Sequence, residues 1–224
     1  MVAPVRTVSG PKILSDLLKW EAEPGYCRDS GVLLASNPVT IGAALGRITL
    51  GAVSAAAKSG GNTGNGVFTI DATTPKLAGA KVGVYTVRCI AAATNSGTFR
   101  VTDPNGLVLG DVAVGATFAD RIKFAIADGS TDFIVGDGFD VTIAAGSLKI
   151  TPLNLTALDG SATCIGFSTI LRDPGASDGA VVYVARMAML ADSGIDWPAG
   201  ISAGQIAQAY ADVAPYGIIA RSGM

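Results

Sequence analysis

The chain has 224 residues, a formal net charge of −2 and no histidine. This charge excludes a broad basic surface for nucleic acid or an anionic membrane. The absence of histidine excludes Ser-His-Asp and Cys-His catalytic systems and His-ligated metals. Only 15% of the residues are charged while 49% are hydrophobic, so we expect extensive burial against other subunits.

Two segments bear on membrane insertion and export. The most apolar run, residues 180–190, is interrupted by Arg186 and is shorter than the ~18 residues that a membrane-spanning helix needs. Residues 1–20 lack the basic-then-apolar order of a secretion signal. We therefore expect a soluble protein without a membrane partner, made in the cytoplasm.

The three cysteines, Cys27, Cys89 and Cys164, are widely spaced. Their spacing matches neither a zinc knuckle nor a small disulfide framework. Buried free thiols are therefore the expected state. No residue pattern in the chain indicates a bound metal or another cofactor, and none is predicted.

Residues 1–21 are predicted to form an N-terminal arm with a short helix. The first ten residues mix Pro, Thr, Ser and single apolar residues without a period, which is typical of a segment that orders only on a partner. A helical apolar face follows before Pro24, and its members are Ile13, Leu14, Leu17 and Leu18. Two interpretations stay open: the helix packs on its own domain, or arm and helix dock on a neighbouring protein.

Short strand patterns separated by Gly, Asn and Pro fill residues 22–58. This stretch is too short to close a core unaided. The glycine-rich run Ser59–Gly66 comes next. It lacks the Gly-Lys-Ser/Thr ending of a phosphate-binding loop, so we predict a linker.

Residues 59–146 are predicted to be an inserted all-β domain. Apolar and polar side chains alternate along several segments, for example through Phe139, Val141 and Ile143. A period of two indicates strands with one buried face. Turn signals such as Asp103–Gly106 occur at hairpin spacing, and the number of strands predicts a small sandwich or barrel.

The sequence gives little support to a ligand site in this inserted domain. Four aspartates lie in adjoining loops but depart from the EF-hand spacing, and turn formation explains them better than calcium: Asp128, Asp132, Asp137 and Asp140. Stacking on sugar faces needs exposed Trp or Tyr rings, and residues 60–146 contain no Trp and only Tyr85. Recognition of a glycan or another surface ligand is kept as the alternative function.

The strand pattern of residues 22–58 resumes over 147–224, so one domain is predicted to be split by the insertion. Its helix begins at Ser202 and Gln205, which have the spacing of a capping box. A stop follows at Gly217.

Trp197 and Pro198 immediately precede this helix. A tryptophan here serves either as a core anchor or as an exposed contact, and the core is favoured. The whole pattern predicts a mainly β protein with minor α structure. Its architecture is a discontinuous small α+β domain interrupted by an inserted β-sandwich or barrel.

Several segments in this order resemble the head decoration proteins of tailed bacteriophages, the lambda-type family. The inserted β block is also similar to one found within longer members. The segments that carry the resemblance are Glu23–Asp29, Leu45–Ile48, Pro152–Leu155, Asp159–Gly166, Asp178–Arg186, Trp197–Ile201 and Gly217–Arg221.

The resemblance implies a structural role in the virion without enzymatic activity. Members of the family sit as homotrimers at three-fold and quasi-three-fold positions on the outer surface of the expanded capsid. There they cement neighbouring major capsid proteins, and an N-terminal arm orders on the capsid. We expect the inserted domain to protrude outwards, and no nucleic acid is an expected partner.

The residues hypothesised to contact the capsid follow from the arm and its helix: Val2, Pro4, Val5, Val8, Ile13, Leu14, Leu17, Leu18 and Trp20. Oligomer or capsid contacts are also assigned to Trp197, Pro198 and Ile201. Ser9 and Lys12 match the Ser-x-x-Lys spacing of some acyl transferases. No predicted helix start fixes that pair, so chance explains the match better.

Overall fold

A computed structural model describes residues 12–223 of the chain. It is mainly β with minor α structure, which confirms the predicted fold class. Its strands, in chain order, are β1 (Leu18–Glu21), β2 (Arg28–Leu33), β3 (Ala44–Arg47), β4 (Leu50–Ala57), β5 (Val67–Ile70), β6 (Gly83–Ala93), β7 (Ser96–Thr102), β8 (Val108–Ala113), β9 (Thr117–Ala119), β10 (Lys123–Ala127), β11 (Gly138–Ala145), β12 (Ile150–Pro152), β13 (Gly166–Ser168), β14 (Gly179–Val184), β15 (Ala188–Ala191) and β16 (Ile218–Arg221). The α-helices are α1 (Leu14–Leu17), α2 (Pro24–Cys27) and α3 (Ala203–Val213), and 3-10 turns cover Asp192–Gly194 and Ala214–Tyr216.

The described residues divide into two compact units. The first, which we call the barrel unit, comprises residues 12–47, 149–155 and 161–223. The second, the sandwich unit, comprises residues 48–148 and 156–160. The predicted domain bounds, 22–58 with 147–224 around 59–146, stay a prediction about folding units.

The barrel unit contains a closed barrel of five short strands in the order β12-β2-β14-β13-β3. A separate three-stranded sheet has the order β1-β15-β16. Two clusters of buried side chains form its core: one holds Leu17, Phe167, Leu190 and Val213, and the other holds Leu45, Val181 and Tyr183.

The sandwich unit consists of a five-stranded sheet, β4-β11-β6-β7-β8, and a three-stranded sheet, β5-β10-β9. Side chains from both sheets share one buried cluster. The rings of Phe68 and Phe139, one from each sheet, lie 4.9 Å apart between centroids. Alternation along the strands therefore buries one face of each sheet against the other, as the period of two predicts.

The predicted N-terminal helix is limited to the single turn α1. Leu18 continues not as helix but as the start of β1, which pairs antiparallel with β15 through Leu18↔Leu190 and Trp20↔Met189. A short isolated helix is costly to nucleate, whereas strand pairing satisfies the backbone groups of β1 at once. The spacing of apolar residues in the sequence did not reveal that β15 offers an edge to which β1 can pair.

The glycine-rich run Ser59–Gly66 is a packed loop of the sandwich unit rather than a linker. A Cβ on Gly66 would lie 2.4 Å from a ring atom of Phe133, so no larger residue fits there without movement. The carboxylate of Asp137 accepts the N–H groups of Thr63 and Gly64, both at 2.9 Å. Composition predicted a linker, but close packing against Phe133 requires glycine at positions 64 and 66.

Helix α3 begins where the capping box predicts. The hydroxyl of Ser202 accepts the Gln205 N–H at 3.3 Å, and the Ser202 N–H donates to Gln205 Oε1 at 2.9 Å. Ala209 and Val213 on one face are buried. Gly217 adopts the left-handed conformation with φ 75° and ends the segment, as predicted.

Candidate interaction surface

An apolar face lies on the outward side of the sheet β1-β15-β16. Trp20 is paired with Met189, and Met189 is paired with Ile219, so one residue from each strand stands in a row across the sheet. Trp20 is 53% exposed and Ile219 49% exposed, while Met189 is half-buried. Because side chains alternate along a strand, the neighbouring Leu190 and Ile218 are buried on the opposite side.

Three further exposed apolar residues lie beside these strands: Met187 precedes β15, Tyr216 precedes β16 and Tyr26 lies in α2. Met187 is joined through its backbone to Ala22 at 3.2 Å and to Tyr216 at 2.9 Å. The guanidinium of Arg186 lies 5.4 Å from the ring centroid of Tyr26. The apolar face is therefore defined by Trp20, Tyr26, Met187, Met189, Tyr216 and Ile219. Exposed aromatic and methionine side chains in one area are typical of protein interfaces.

A cavity of about 240 Å³ with both charged and apolar lining residues adjoins the apolar face, since Tyr216 contributes to its lining. Arg47 enters it from β3 and Tyr183 from β14. Arg186 Nη2 pairs with Asp29 Oδ2 at 2.6 Å. Arg47 Nη2 donates to the Tyr183 hydroxyl, also at 2.6 Å.

Asp212 also lines the cavity, and both oxygens of its carboxylate already accept hydrogen bonds. Its Oδ2 accepts the Cys164 N–H at 3.0 Å and its Oδ1 accepts Gln208 Nε2 at 2.8 Å. Burial raises the pKa of the Tyr183 hydroxyl, although Arg47 acts in the opposite direction. That hydroxyl therefore stays protonated across the neutral range.

The hypothesised capsid contacts are placed differently by the structure. Val2, Pro4, Val5 and Val8 lie outside the described residues, as does Ser9 of the Ser-x-x-Lys pair. Ile13 is 56% exposed, Leu14 and Leu18 are half-buried, and Leu17 is fully buried in the core of the barrel unit. Of the described residues in this group, Trp20 belongs to the apolar face. Its partners in that face, from Tyr26 to Ile219, had no sequence signal, because single apolar residues in short strands form no periodic pattern.

Trp197 packs inside the barrel unit. Its ring meets Phe167 and Tyr210 edge-to-face, with centroids 5.9 and 5.4 Å apart. Together with Pro198 it also lines a shallow cavity of about 160 Å³. Trp197, Pro198 and Ile201 are all half-buried, so a role in an oligomer or capsid contact stays a prediction.

Three of the four loop aspartates, Asp132, Asp137 and Asp140, organise loops and ion pairs, as the preferred interpretation of the sequence holds. Asp137 accepts the Ile134 N–H at 3.1 Å in addition to its two bonds to the glycine-rich loop. Asp132 accepts the Asn95 N–H at 2.8 Å, and Asp140 pairs with Arg88 at 2.5 Å. Over residues 12–223, no group of three or more His, Cys, Asp or Glu side chains could hold a metal ion.

Other chemical groups are similarly enclosed. All three cysteines are free and buried, as predicted, and burial raises the pKa of the Cys164 thiol to about 12. Tyr85 is fully buried, so it offers no flat surface to a sugar. Within the described part of the chain, no helix is long and apolar enough to cross a membrane.

Comparison with known proteins gives one match over nearly the whole chain. The family model described as Bacteriophage lambda head decoration protein D matches residues 7–218. No curated protein matches the chain.

Two crystal structures of FlgL from Xanthomonas campestris are also similar to parts of the chain. They are 24% and 21% identical and cover 47% and 54% of this chain, with TM-scores of 0.31 and 0.30. The chain spans only 33% of the length of each FlgL chain. TM-scores this low support no argument about fold or function.

Proposed function

Because this chain belongs to the bacteriophage lambda head decoration protein D family, we propose that it cements major capsid protein subunits on the outer surface of a phage capsid. A structural, capsid-decorating role follows from the family itself. The finer proposal is that it acts as homotrimers at three-fold and quasi-three-fold positions. Enzymatic activity is not part of this role.

The apolar face is the observation that carries the proposal. It belongs to the barrel unit, and its first strand, β1, directly continues the N-terminal residues that the sequence assigns to capsid contact. Trp20 is common to both groups. A cement protein needs a broad surface of moderate contacts rather than a catalytic pocket, and an aromatic and methionine surface meets that need.

The edges of the same sheet suit a second mode of attachment. β1 and β16 are the outer strands of a three-stranded sheet, each paired on one side with β15. An extended chain can add to such an edge through main-chain hydrogen bonds, which depend little on its sequence. The arm residues Val2 to Val8 are proposed to make the reciprocal contact, in which the extended arm adds to an exposed strand edge of the capsid.

The test compares binding of variants to expanded capsids that lack the protein. We expect Trp20→Ala and Ile219→Ser each to weaken binding by about tenfold or more, because truncating a central apolar contact has effects of this size. Leu171→Ser is the matched control. Leu171 is 75% exposed and lies outside the apolar face, so this variant should bind like the unmodified protein. Unchanged binding of both face variants would overturn the proposal.

The arm is tested by a deletion that respects the core. Removal of residues 2–20 would take away the buried Leu17 and strand β1, so a loss of binding could reflect unfolding. Deletion of residues 2–11 leaves both in place. We expect a folded protein with weakened capsid binding, and full binding would remove the arm from the proposal.

The trimer is tested separately from binding. Mass measurement in solution reports whether the free protein associates, and a reconstruction of decorated capsids reports its arrangement there. Density at three-fold and quasi-three-fold positions is the expected result. Single copies at isolated capsid sites would contradict it.

A further inference from the structure

Arg47, which lines the cavity beside the apolar face, has a different kind of partner from two other arginines of the barrel unit. Arg186 pairs with Asp29, and Arg28 pairs with Glu21 at 2.5 Å. In the described part of the chain, no ion pair with an N···O distance up to 4.0 Å involves Arg47. Its hydrogen bond goes to the neutral hydroxyl of Tyr183.

The nearby carboxylates do not replace this missing partner. Asp29 holds Arg186, and both oxygens of Asp212 accept N–H groups from Cys164 and Gln208. A guanidinium has five N–H donors in a planar fork that matches a carboxylate. Arg47 uses one of these donors on Tyr183, which leaves donors for a ligand in the cavity.

Tyr183 supplies a second donor beside Arg47. Its oxygen accepts from Arg47, so its own hydrogen remains for a further acceptor. The side chain is 2% exposed, which fixes its position. A carboxylate accepts hydrogen bonds through two oxygens and can therefore use both groups together.

We propose that this cavity is a receptor for a single carboxylate group, held by Arg47 and Tyr183. The cavity volume of about 240 Å³ admits a short acidic side chain. The rim includes Tyr216 of the apolar face, so a protein seated on that face reaches the cavity. The choice of an Asp or Glu side chain of the bound capsid as the source rests on the proposed function. A free small carboxylate is the other source of the same chemistry.

The first arm of the test uses the isolated protein and acetate. The NMR signals of the Arg47 Nε–H and the Tyr183 ring are followed during titration, with chloride at equal ionic strength as the control. We expect saturable shifts with acetate in the unmodified protein. Acetate binding should weaken several-fold in Tyr183→Phe, as read from the Arg47 Nε–H, and should be lost in Arg47→Met, as read from the Tyr183 ring. Thermal unfolding of both variants checks that they are folded. The absence of a saturable shift in the unmodified, folded protein would overturn the proposal.

The second arm distinguishes the two sources on capsids. If the capsid supplies the carboxylate, Arg47→Met should weaken capsid binding by about tenfold or more, since it leaves a partner charge unpaired. Arg47→Lys keeps the positive charge but not the planar guanidinium. Its capsid affinity should lie between those of the unmodified protein and Arg47→Met. Normal capsid binding by Arg47→Met together with acetate binding by the unmodified protein would refute the capsid as the source. If Trp20→Ala and Ile219→Ser bind normally while acetate still shifts Arg47, the proposed face fails and the receptor stands.

Discussion

Among the described residues both units expose large apolar side chains, but the exposed aromatic and methionine side chains lie in the barrel unit. In the sandwich unit, Arg100 holds Asp111 through two bonds of 2.9 and 3.0 Å on adjacent strands, and Arg88 pairs with Asp140. In the barrel unit, the outward side of a three-stranded sheet carries Trp20 and Ile219 instead. Paired charges on strands discourage association, whereas exposed aromatic and aliphatic residues favour it. Aromatic and methionine side chains are enriched at protein interfaces, so this difference supports the barrel unit as the contact unit that we propose.

The cores differ as well. The sandwich unit has one continuous cluster in which phenylalanine rings contact one another, such as Phe99 and Phe133 at 5.0 Å. The barrel unit has two smaller clusters. The ring contacts add to the stability of the sandwich unit beyond the effect of the buried area alone.

The largest expected effect comes from the two cores. Phe99→Ala removes a fully buried ring and should destabilise the sandwich unit by about 3–5 kcal/mol. Phe167→Ala is the matched change in the barrel unit, where Phe167 is also fully buried. Thermal unfolding measures the total loss of stability, and hydrogen exchange locates it. Each variant should lower the protection of backbone amides mainly in its own unit. Equal loss in both units would break the comparison, because it would mean that they unfold together.

Acid should next affect the sandwich unit more than the barrel unit. Asp103 is 3% exposed; burial alone would raise its pKa, but the Leu107 N–H, Lys81 and the Asn105 N–H lower it to about 2. A lowered folded pKa means that the stabilisation is present above the ordinary value of 3.8 and is lost as the pH falls from about 4 to about 2. Urea unfolding at pH 5 and pH 2.5 should show this loss.

Asp103→Asn provides the control for the acid effect. It should lower stability at pH 5 and reduce the difference between the two pH values. Among the described residues, lowered carboxyl pKa values occur mainly in the sandwich unit, at Asp71, Asp103, Asp111 and Asp137, against Asp178 in the barrel unit. A barrel unit that is equally sensitive to acid would contradict this prediction.

A smaller effect is expected at the start of α3. Ser202→Ala removes the hydroxyl that accepts the Gln205 N–H, and loss of such a cap costs about 1 kcal/mol. Ser202→Asn is the control, since asparagine also caps. Chemical unfolding should give the alanine variant a lower free energy of unfolding than the unmodified protein and the asparagine variant. Hydrogen exchange should locate the change in the barrel unit. If the alanine and asparagine variants are equally stable, the cap contributes nothing.

The smallest effect is expected for the surface pairs of the sandwich unit. Arg88→Met with Asp140→Asn removes one pair whose side chains are about one-third exposed, and exposed pairs contribute less than about 1 kcal/mol. Stability should change little, but the double variant should associate more readily in sedimentation. Unchanged association would show that the Arg88–Asp140 pair does not limit self-association through the sandwich unit.

Much of the local structure was predictable from the sequence. The alternation through Phe139, Val141 and Ile143 predicted the strand β11, and the pair Ser202 and Gln205 predicted the start of α3. These signals are local, because strand and helix periodicity depend on neighbours a few residues apart. The order of segments also led to the correct family.

Other features were missed or misread for a physical reason. The spacing of Leu14 and Leu17 predicted a longer helix, but β15 supplied an edge that the next residues pair with. The run Ser59–Gly66 was predicted to be a linker, yet Phe133 packs against Gly64 and Gly66. In both places a partner distant in sequence decided the local conformation, and composition does not encode such partners.

The mainly β class, the capped helix and the family were all predictable from the order and spacing of residues. Two features depended on the packing of distant segments: Trp20 and Ile219 share one exposed face, and Arg47 meets Tyr183 rather than a carboxylate. The reason is that period and capping act over a few residues, while a surface or cavity joins residues far apart in the chain. Strand pairing and packing bring those residues together.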